Sequence, residues 1–313
     1  IVFYGVFLVS EGTVSMGGMV AAVLLSSRTL APLAQIANLF GRANNAKASY
    51  KRLASFMDET QADDVSERNK NAIRREKLGG LEFKDTTYRY PEADLDTLRG
   101  INLKINEGEK VAILGRNGSG KSTLMKLASG LFKASDGLVM YDGVDIKQLH
   151  TEDLSSSVGI VLQDVQLFSG TVRENITMGR ENISQDDLVQ AGKLSGLDEF
   201  ISKIPGGYDL LLSDGGKGLS GGQRQAIALA RSIVHKPSHF ILDEPTSAMD
   251  MNAENLFINQ VGSILKESTM LIVTHRMPLL NLVDRIIVMN EGQIVEDGPK
   301  DEIIQKLNQP RES

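Results

Sequence analysis

The 313-residue chain contains no cysteine, which excludes disulfide scaffolds, Cys-ligated zinc and thiol catalysis within it. Its four histidines, His150, His235, His239 and His275, are too few and too scattered in sequence to suggest a histidine-built metal site. A basic excess is also missing. Lysine and arginine total 34 against 40 acids, a net charge of −6, whereas a partner held by its phosphates demands a basic surface; no nucleic acid is expected. There is no internal repeat and no low-complexity tract. The longest early uncharged run, residues 12–27, gives 16 residues where roughly 18 would argue a membrane span unaided. No basic segment precedes that apolar start, so it does not read as a signal peptide.

What is present is unevenly distributed. From residue 1 to 40 the only charged residues are Glu11 and Arg28. A buried soluble helix is one reading of this stretch. Two features favour a membrane: glycine recurs at 5, 12, 17 and 18, and Glu11-Gly12 reads as a turn between two spans. Basic residues then accumulate at Arg28, Arg42, Lys47, Lys51 and Arg52, as on a cytoplasmic side. Past Pro32, apolar residues recur every three or four positions (Leu30, Leu33, Ala37, Phe40, then Ala46, Tyr50, Leu53, Met57), which predicts one long helix. Residues 58–78 are polar and read as a solvated linker. The chain begins at Ile1 rather than methionine, and a fragment of a longer protein is expected.

From Leu81 short apolar runs alternate with helical stretches. Strands are predicted at 110–114, 158–162, 240–242, 270–273 and 285–289. Several are continuously apolar, the pattern of strands covered on both faces, so a parallel α/β sheet is expected.

Three strings carry chemistry. Gly115-Arg116-Asn117-Gly118-Ser119-Gly120-Lys121-Ser122-Thr123 matches the phosphate-binding pattern G-x-x-x-x-G-K-[ST]. Its glycines let backbone N–H groups turn inward around phosphate oxygens, at the positive end of the following helix. Lys121 can reach the β- and γ-phosphates, and the Ser122 hydroxyl can ligate Mg²⁺. Chance alone would produce the pattern in about one chain of this length in a hundred. The second string, Phe240-Ile241-Leu242-Asp243-Glu244, is an apolar strand ending in two carboxylates. Asp243 there is suited to Mg²⁺ and Glu244 to taking a proton from water. The third, Leu219-Ser220-Gly221-Gly222-Gln223, lies between them and opens a helical run, a second Gly-rich anion site.

That third string resembles the signature of the ATP-binding cassette (ABC) ATPases, and further motifs fall in order. Gln163 resembles the Q-loop, Ser247-Ala248-Met249-Asp250 the D-loop, and His275 the switch histidine; Tyr90 stands where the family places an adenine-stacking aromatic. The resemblance spans about residues 81–307. It implies a P-loop cassette with a RecA-like parallel core, an antiparallel β subdomain and a helical subdomain. Residues 1–57 look like the end of an exporter's membrane domain with its cytoplasmic extension, followed by the linker and a cassette from 79 to 313. Arg173-Glu174-Asn175-Ile176 resembles the surface that touches the membrane domain's cytoplasmic loops. Met249 in place of the usual leucine, and Ser213-Asp214-Gly215-Gly216 in place of an acidic Gly-Glu segment, are departures from the pattern.

The resemblance is nearest to bacterial type I secretion ATPases, which export large proteins such as RTX toxins and adhesins; exporters of peptides, lipids or drugs and soluble cassette ATPases remain alternatives. It implies ATP and Mg²⁺, the metal on Ser122, Gln163 and Asp243, with catalysis by Glu244, His275 and Lys121. Each ATP is expected between Tyr90, residues 115–123 and Glu244 of one copy and Ser220, Gly221, Gly222 and Gln223 of a second, head-to-tail copy. A fused transmembrane domain, an adaptor and an outer-membrane channel are the other expected partners, and the bacterial inner membrane, with the cassette on its cytoplasmic side, the expected location.

Overall fold

The computed structural model describes residues 2–62, 69–180, 182–247, 249, 251–264 and 268–308. The chain divides into two units, Ile1–Val65 and Ser66–Ser313. In the first, helix α1 (Val2–Ser10) is joined by a short turn to α2 (Met16–Ala62). The turn falls at the predicted Glu11-Gly12, where Gly12 takes φ 73°. Glycine serves packing as well: a Cβ on Gly5 would lie 2.8 Å from Met19 Cγ. Helix α2 spans 47 residues with Pro32 inside it, about 70 Å of helix at 1.5 Å per residue. Its hydroxyls Ser26, Ser27 and Thr29 donate to the carbonyls of Ala22, Val23 and Leu25, so each is satisfied within the helix. Large apolar side chains stay exposed along both helices, Phe3 at 93% and Phe40 at 69% among them. Among the described residues, no helix is long and apolar enough to cross a membrane.

The second unit contains strands β1 (Leu81–Tyr88), β2 (Leu98–Ile105), β3 (Lys110–Gly115), β4 (Asp136–Tyr141), β5 (Val144–Asp145), β6 (Val158–Val161), β7 (Gly170–Thr171), β8 (Leu211–Leu212), β9 (His239–Asp243), β10 (Thr269–Val273), β11 (Arg285–Asn290) and β12 (Gln293–Pro299). Between them lie α3 (Lys121–Ala128), α4 (Thr151–Ser157), α5 (Val172–Thr177), α6 (Gln185–Leu194), α7 (Asp198–Ile201), α8 (Gly221–Ile233) and α9 (Met251–Ile264), with α10 (Lys300–Asn308) after β12. One sheet has the order β12-β11-β3-β10-β9-β6; all its neighbours are parallel except β11 and β12. An antiparallel sheet has the order β2-β1-β4-β5, and β7 pairs with β8.

The continuous apolar runs serve two cores at once, because successive side chains of a strand point to opposite faces. Val111, Ile113, Ile241, Leu271 and Val273 join α3 and the antiparallel sheet in one cluster. Ala112, Phe240, Leu242, Met270 and Ile272 join α5, α6, α8 and α9 in the other. The expected parallel core, antiparallel layer and helical layer are all present.

Residues 69–78 belong with this second unit. Asn69 Oδ1 accepts from the Thr151 N–H and hydroxyl, Ile73 pairs with Leu149, and the Arg75 N–H donates to Asp153 at 2.7 Å. Leu78 is 1% exposed. The charged ends of Arg74 and Lys77 stay in solvent while the backbone between them is bound, a distinction that polarity alone does not make.

Candidate functional site

Parallel strands deliver their C-terminal ends to one edge, and three neighbours do so here. Strand β10 lies between β3 and β9, so the loop after Gly115, the Asp243-Glu244 pair and the turn at Thr274-His275 come together. They line one cleft of about 430 Å³ with Tyr90, Thr97 and Gln163.

The loop's first and last glycines are required by backbone geometry. Gly115 has φ 151°, and a Cβ there would lie 2.3 Å from the Met289 carbonyl oxygen. Gly120 has φ 97°, with Leu98 Cδ2 2.6 Å from where a Cβ would stand. Arg116, Asn117 and Gly118 form the exposed outer turn, whereas Ser119, Lys121 and Thr123 are buried. Helix α3 starts at Lys121 with no side-chain cap. Lys121 Nζ donates to the carbonyls of Gly115 and Arg116 at 2.8 and 2.9 Å. Burial holds its pKa below the usual lysine value, and the carboxylates of Glu244 and Asp243 oppose that shift.

Both carboxylates are raised. Burial pushes Asp243 up, against the Ser122 hydroxyl that bonds it and the Lys121 charge. Burial also raises Glu244, and His275 opposes the shift; His275 Nε2 is 3.5 Å from Glu244 Oε1. A carboxylate raised toward neutrality is suited to accept a proton. Glu244 itself sits at φ 50°, a left-handed conformation costly for any residue with a Cβ. Its N–H donates to the Val273 carbonyl at 2.9 Å; its carbonyl accepts from Ser247 N–H at 3.1 Å and Gln225 Nε2 at 3.2 Å.

Tyr90 closes the cleft. Its ring packs edge-on against Tyr88 and Phe132, with centroids 5.1 and 5.6 Å away, and its hydroxyl shares a hydrogen bond with Thr123 Oγ1 at 3.1 Å. Gln163, exposed after β6, lines both this cleft and a smaller cavity with Gly221 and Ser247.

Ser220, Gly221, Gly222 and Gln223 stand apart, lining a separate cavity of about 750 Å³ with Phe200, Met249 and Phe257. Ser220 caps α8: its hydroxyl accepts from Gln223 N–H, and Gln223 Oε1 accepts from Ser220 N–H. Of the D-loop string, Ala248 and Asp250 lie outside the described residues. The histidines without a motif are structural. His150 caps α4, and burial lowers His235 and His239 to about 4.

Two site residues escaped the sequence reading, Thr97 in the cleft wall and Gln225 behind Glu244. The only local signal at Gln225 is its place on the helix face of Leu229 and Ile233, where it is 3% exposed, a position that marks a buried polar group but not its partner.

Residues 98–247 match the ABC transporter family. The alpha-hemolysin translocation ATP-binding protein HlyB of Escherichia coli O157:H7 is 36% identical over 302 residues, 96% of this chain and 42% of that protein. The toxin RTX-I translocation ATP-binding protein of Actinobacillus pleuropneumoniae is 37% identical over 305 residues, 97% of this chain and 42% of the relative. Leukotoxin translocation ATP-binding protein LktB of Mannheimia haemolytica is 35% identical over 304 residues, with the same coverage of 97% and 42%. The chain thus spans less than half the length of the curated relatives it matches. A solved structure of a bacterial Atm1-family ABC exporter with ATP bound aligns with TM-score 0.69 at 30% identity, covering 74% of this chain and 40% of that one. With its phosphate loop, acidic strand end and signature string on this scaffold, the chain belongs to the ABC transporter family and carries its nucleotide-binding cassette.

Proposed function

We propose that this chain is the ATP-hydrolysing part of an exporter that moves a protein across the bacterial inner membrane. The observation that carries the enzymatic reading is the meeting of Lys121, Asp243, Glu244 and His275 in one cleft beside an uncapped helix N-terminus. Backbone N–H groups of residues 115–123 would hold the β- and γ-phosphates, and Tyr90 would pack on the adenine. Lys121 would turn from the Gly115 and Arg116 carbonyls to the phosphate oxygens. Glu244 would take the proton of the attacking water, and His275 would donate to the γ-phosphate.

The residues fit Mg²⁺. Asp243 Oδ1 is buried without a hydrogen-bond partner, and the Ser122 hydroxyl sits against the same carboxylate. Phosphate and water would supply the ion's other ligands. Ser122, Asp243 and Gln163 would hold it, and it would offset charge developing on the γ-phosphate.

Ser220–Gln223 line a different cavity from Lys121, so we place ATP between two head-to-tail copies, with the signature string of one facing the phosphates bound by the other. Residues 1–57 we read as the tail of a membrane domain and its cytoplasmic extension, residues 58–78 as the linker, its stretch 69–78 bound onto the cassette, and 79–313 as the cassette, on the cytoplasmic side. The exposed apolar side chains and internally satisfied hydroxyls of α1 and α2 support this. A protein cargo, and with it an adaptor and an outer-membrane channel, is supported by relatives named for toxin translocation. The test of the enzymatic reading is Glu244→Gln, expected to keep ATP binding while lowering turnover by about a hundredfold or more. Wild-type phosphate release from that variant removes Glu244 from the role of base.

A further inference from the structure

We infer that Arg276 and Glu254 are positioning residues for hydrolysis, a side-chain tie between the loop carrying His275 and the segment that follows Glu244. The inference rests on the reading of Glu244 and His275 as the groups acting on water and γ-phosphate.

Glu254 lies on α9, 5% exposed, and its Oε1 accepts from the Thr246 hydroxyl at 2.7 Å and from Arg276 Nη1 at 3.0 Å. Thr246, 1% exposed, is two residues beyond Glu244. Arg276 immediately follows His275, and its Nη2 lies 3.4 Å from the Ser247 carbonyl oxygen and 3.5 Å from that of Met249. Its own N–H donates to Thr274 Oγ1 at 3.0 Å, on a residue with no exposed surface. One guanidinium therefore reaches α9 and the carbonyls of Ser247 and Met249 from a backbone fixed at the end of β10.

The segments on either side of that guanidinium also hold the strained backbone of Glu244. Its N–H is held by Val273 on the β10 side, and its carbonyl by Ser247 on the other. If these segments shift relative to each other, the carboxylate moves against His275 and against the water it must deprotonate, and small displacements of a reacting group are costly in rate. Stability alone does not account for the arrangement, because an ion pair whose arginine side chain is 34% exposed contributes little. A forked, planar donor that can serve a carboxylate and two carbonyls together is a reason for arginine rather than lysine.

The experiment uses the full 313-residue chain in detergent and compares Arg276→Lys, Glu254→Gln and Glu244→Gln. Lysine keeps the positive charge beside Glu254 but cannot also reach the carbonyls of Ser247 and Met249. Arg276→Lys is expected to hold the melting temperature and the KM for ATP near wild type while lowering kcat about tenfold. Glu254→Gln should act in the same direction, and the double variant should be no slower than the worse single one, because both break one tie. Wild-type kcat in both single variants, with Glu244→Gln inactive, overturns the tie and leaves the base assignment standing. A fall in kcat matched by parallel losses of melting temperature and ATP affinity overturns it too, since the pair is then structural. Wild-type turnover in Glu244→Gln overturns the reading on which the tie rests.

Discussion

Helices α3 and α8 both begin at Gly-rich strings, yet they begin differently. Helix α3 follows a left-handed Gly120 and has no side-chain cap on its first N–H groups. Helix α8 is closed by a reciprocal pair, Ser220 and Gln223, each accepting from the other's backbone N–H. Unsatisfied N–H groups at a helix start carry partial positive charge, and a capping box removes two of them. The first terminus, with Lys121 beside it, therefore offers free donors of the kind the proposed phosphate site needs. The second already satisfies part of its own demand. It suits a ligand brought by another molecule, and its cavity is partly apolar, with Phe200 and Phe257 in the wall. On the proposed reading, the difference assigns binding to one helix end and assembly and turnover to the other.

Lys121→Ala strikes the first terminus and has the largest expected effect on affinity. Removing a charge-assisted phosphate contact worth about 1.5–3 kcal/mol should weaken ATP binding by about ten- to a hundredfold in a single copy. Ser220→Ala strikes the second, and sharpens the contrast. Losing the cap should cost about 1 kcal/mol of stability and lower turnover, while leaving ATP affinity of one copy within about twofold. Nucleotide fluorescence titration on dilute protein, with a phosphate-release assay, measures both. Equal losses of affinity in the two variants would erase the distinction.

Smaller still is the aromatic contribution. Tyr90→Ala should lose about 1–2 kcal/mol of nucleotide affinity and Tyr90→Trp little, since stacking area is what matters. Unchanged affinity in the alanine variant would reduce Tyr90 to a strand aromatic packed on Tyr88 and Phe132.

The last expected effect is on pH dependence. Glu244 is raised by burial, and its basic form is lost as pH falls through that raised value. The acidic limb of kcat should therefore lie above the usual glutamate pKa of about 4.3. The same shift has a stability side. A carboxylate raised on folding contributes stability below its unfolded pKa, and loses that contribution as pH rises through the folded value. At neutral pH the Glu244 charge is thus a burden on the nucleotide-free fold, and Glu244→Gln should melt slightly higher. A limb at the usual value, or a lower melting point, would show that burial does not govern this carboxylate.

Much of this was legible in sequence because it is contiguous. Residues 115–123, 219–223 and 240–244 each carry their chemistry within one short string, and the apolar strands announce their two-faced burial. The turn at Glu11-Gly12 was legible for the same reason. What was not legible joins residues far apart in the chain. Nothing local says that Gln225 holds the Glu244 carbonyl, or that Arg276 reaches Glu254 across 22 positions. The charges of residues 74–77 read as solvated, and their side chains are, but the pairing of Ile73 with Leu149 depends on a strand-end loop that sequence spacing does not reveal. The left-handed backbone at Glu244 was hidden too, since a glutamate gives no hint of a conformation that its surroundings impose.

The central claim is that one ATP needs both helix ends, from two copies. The most direct measurement is light scattering on Glu244→Gln protein from residue 66 onward, with and without Mg-ATP. A single copy without nucleotide and a dimer with it is expected, by linkage between binding and association. Protein that binds ATP yet stays monomeric, or a dimer whether or not ATP is present, would contradict the account.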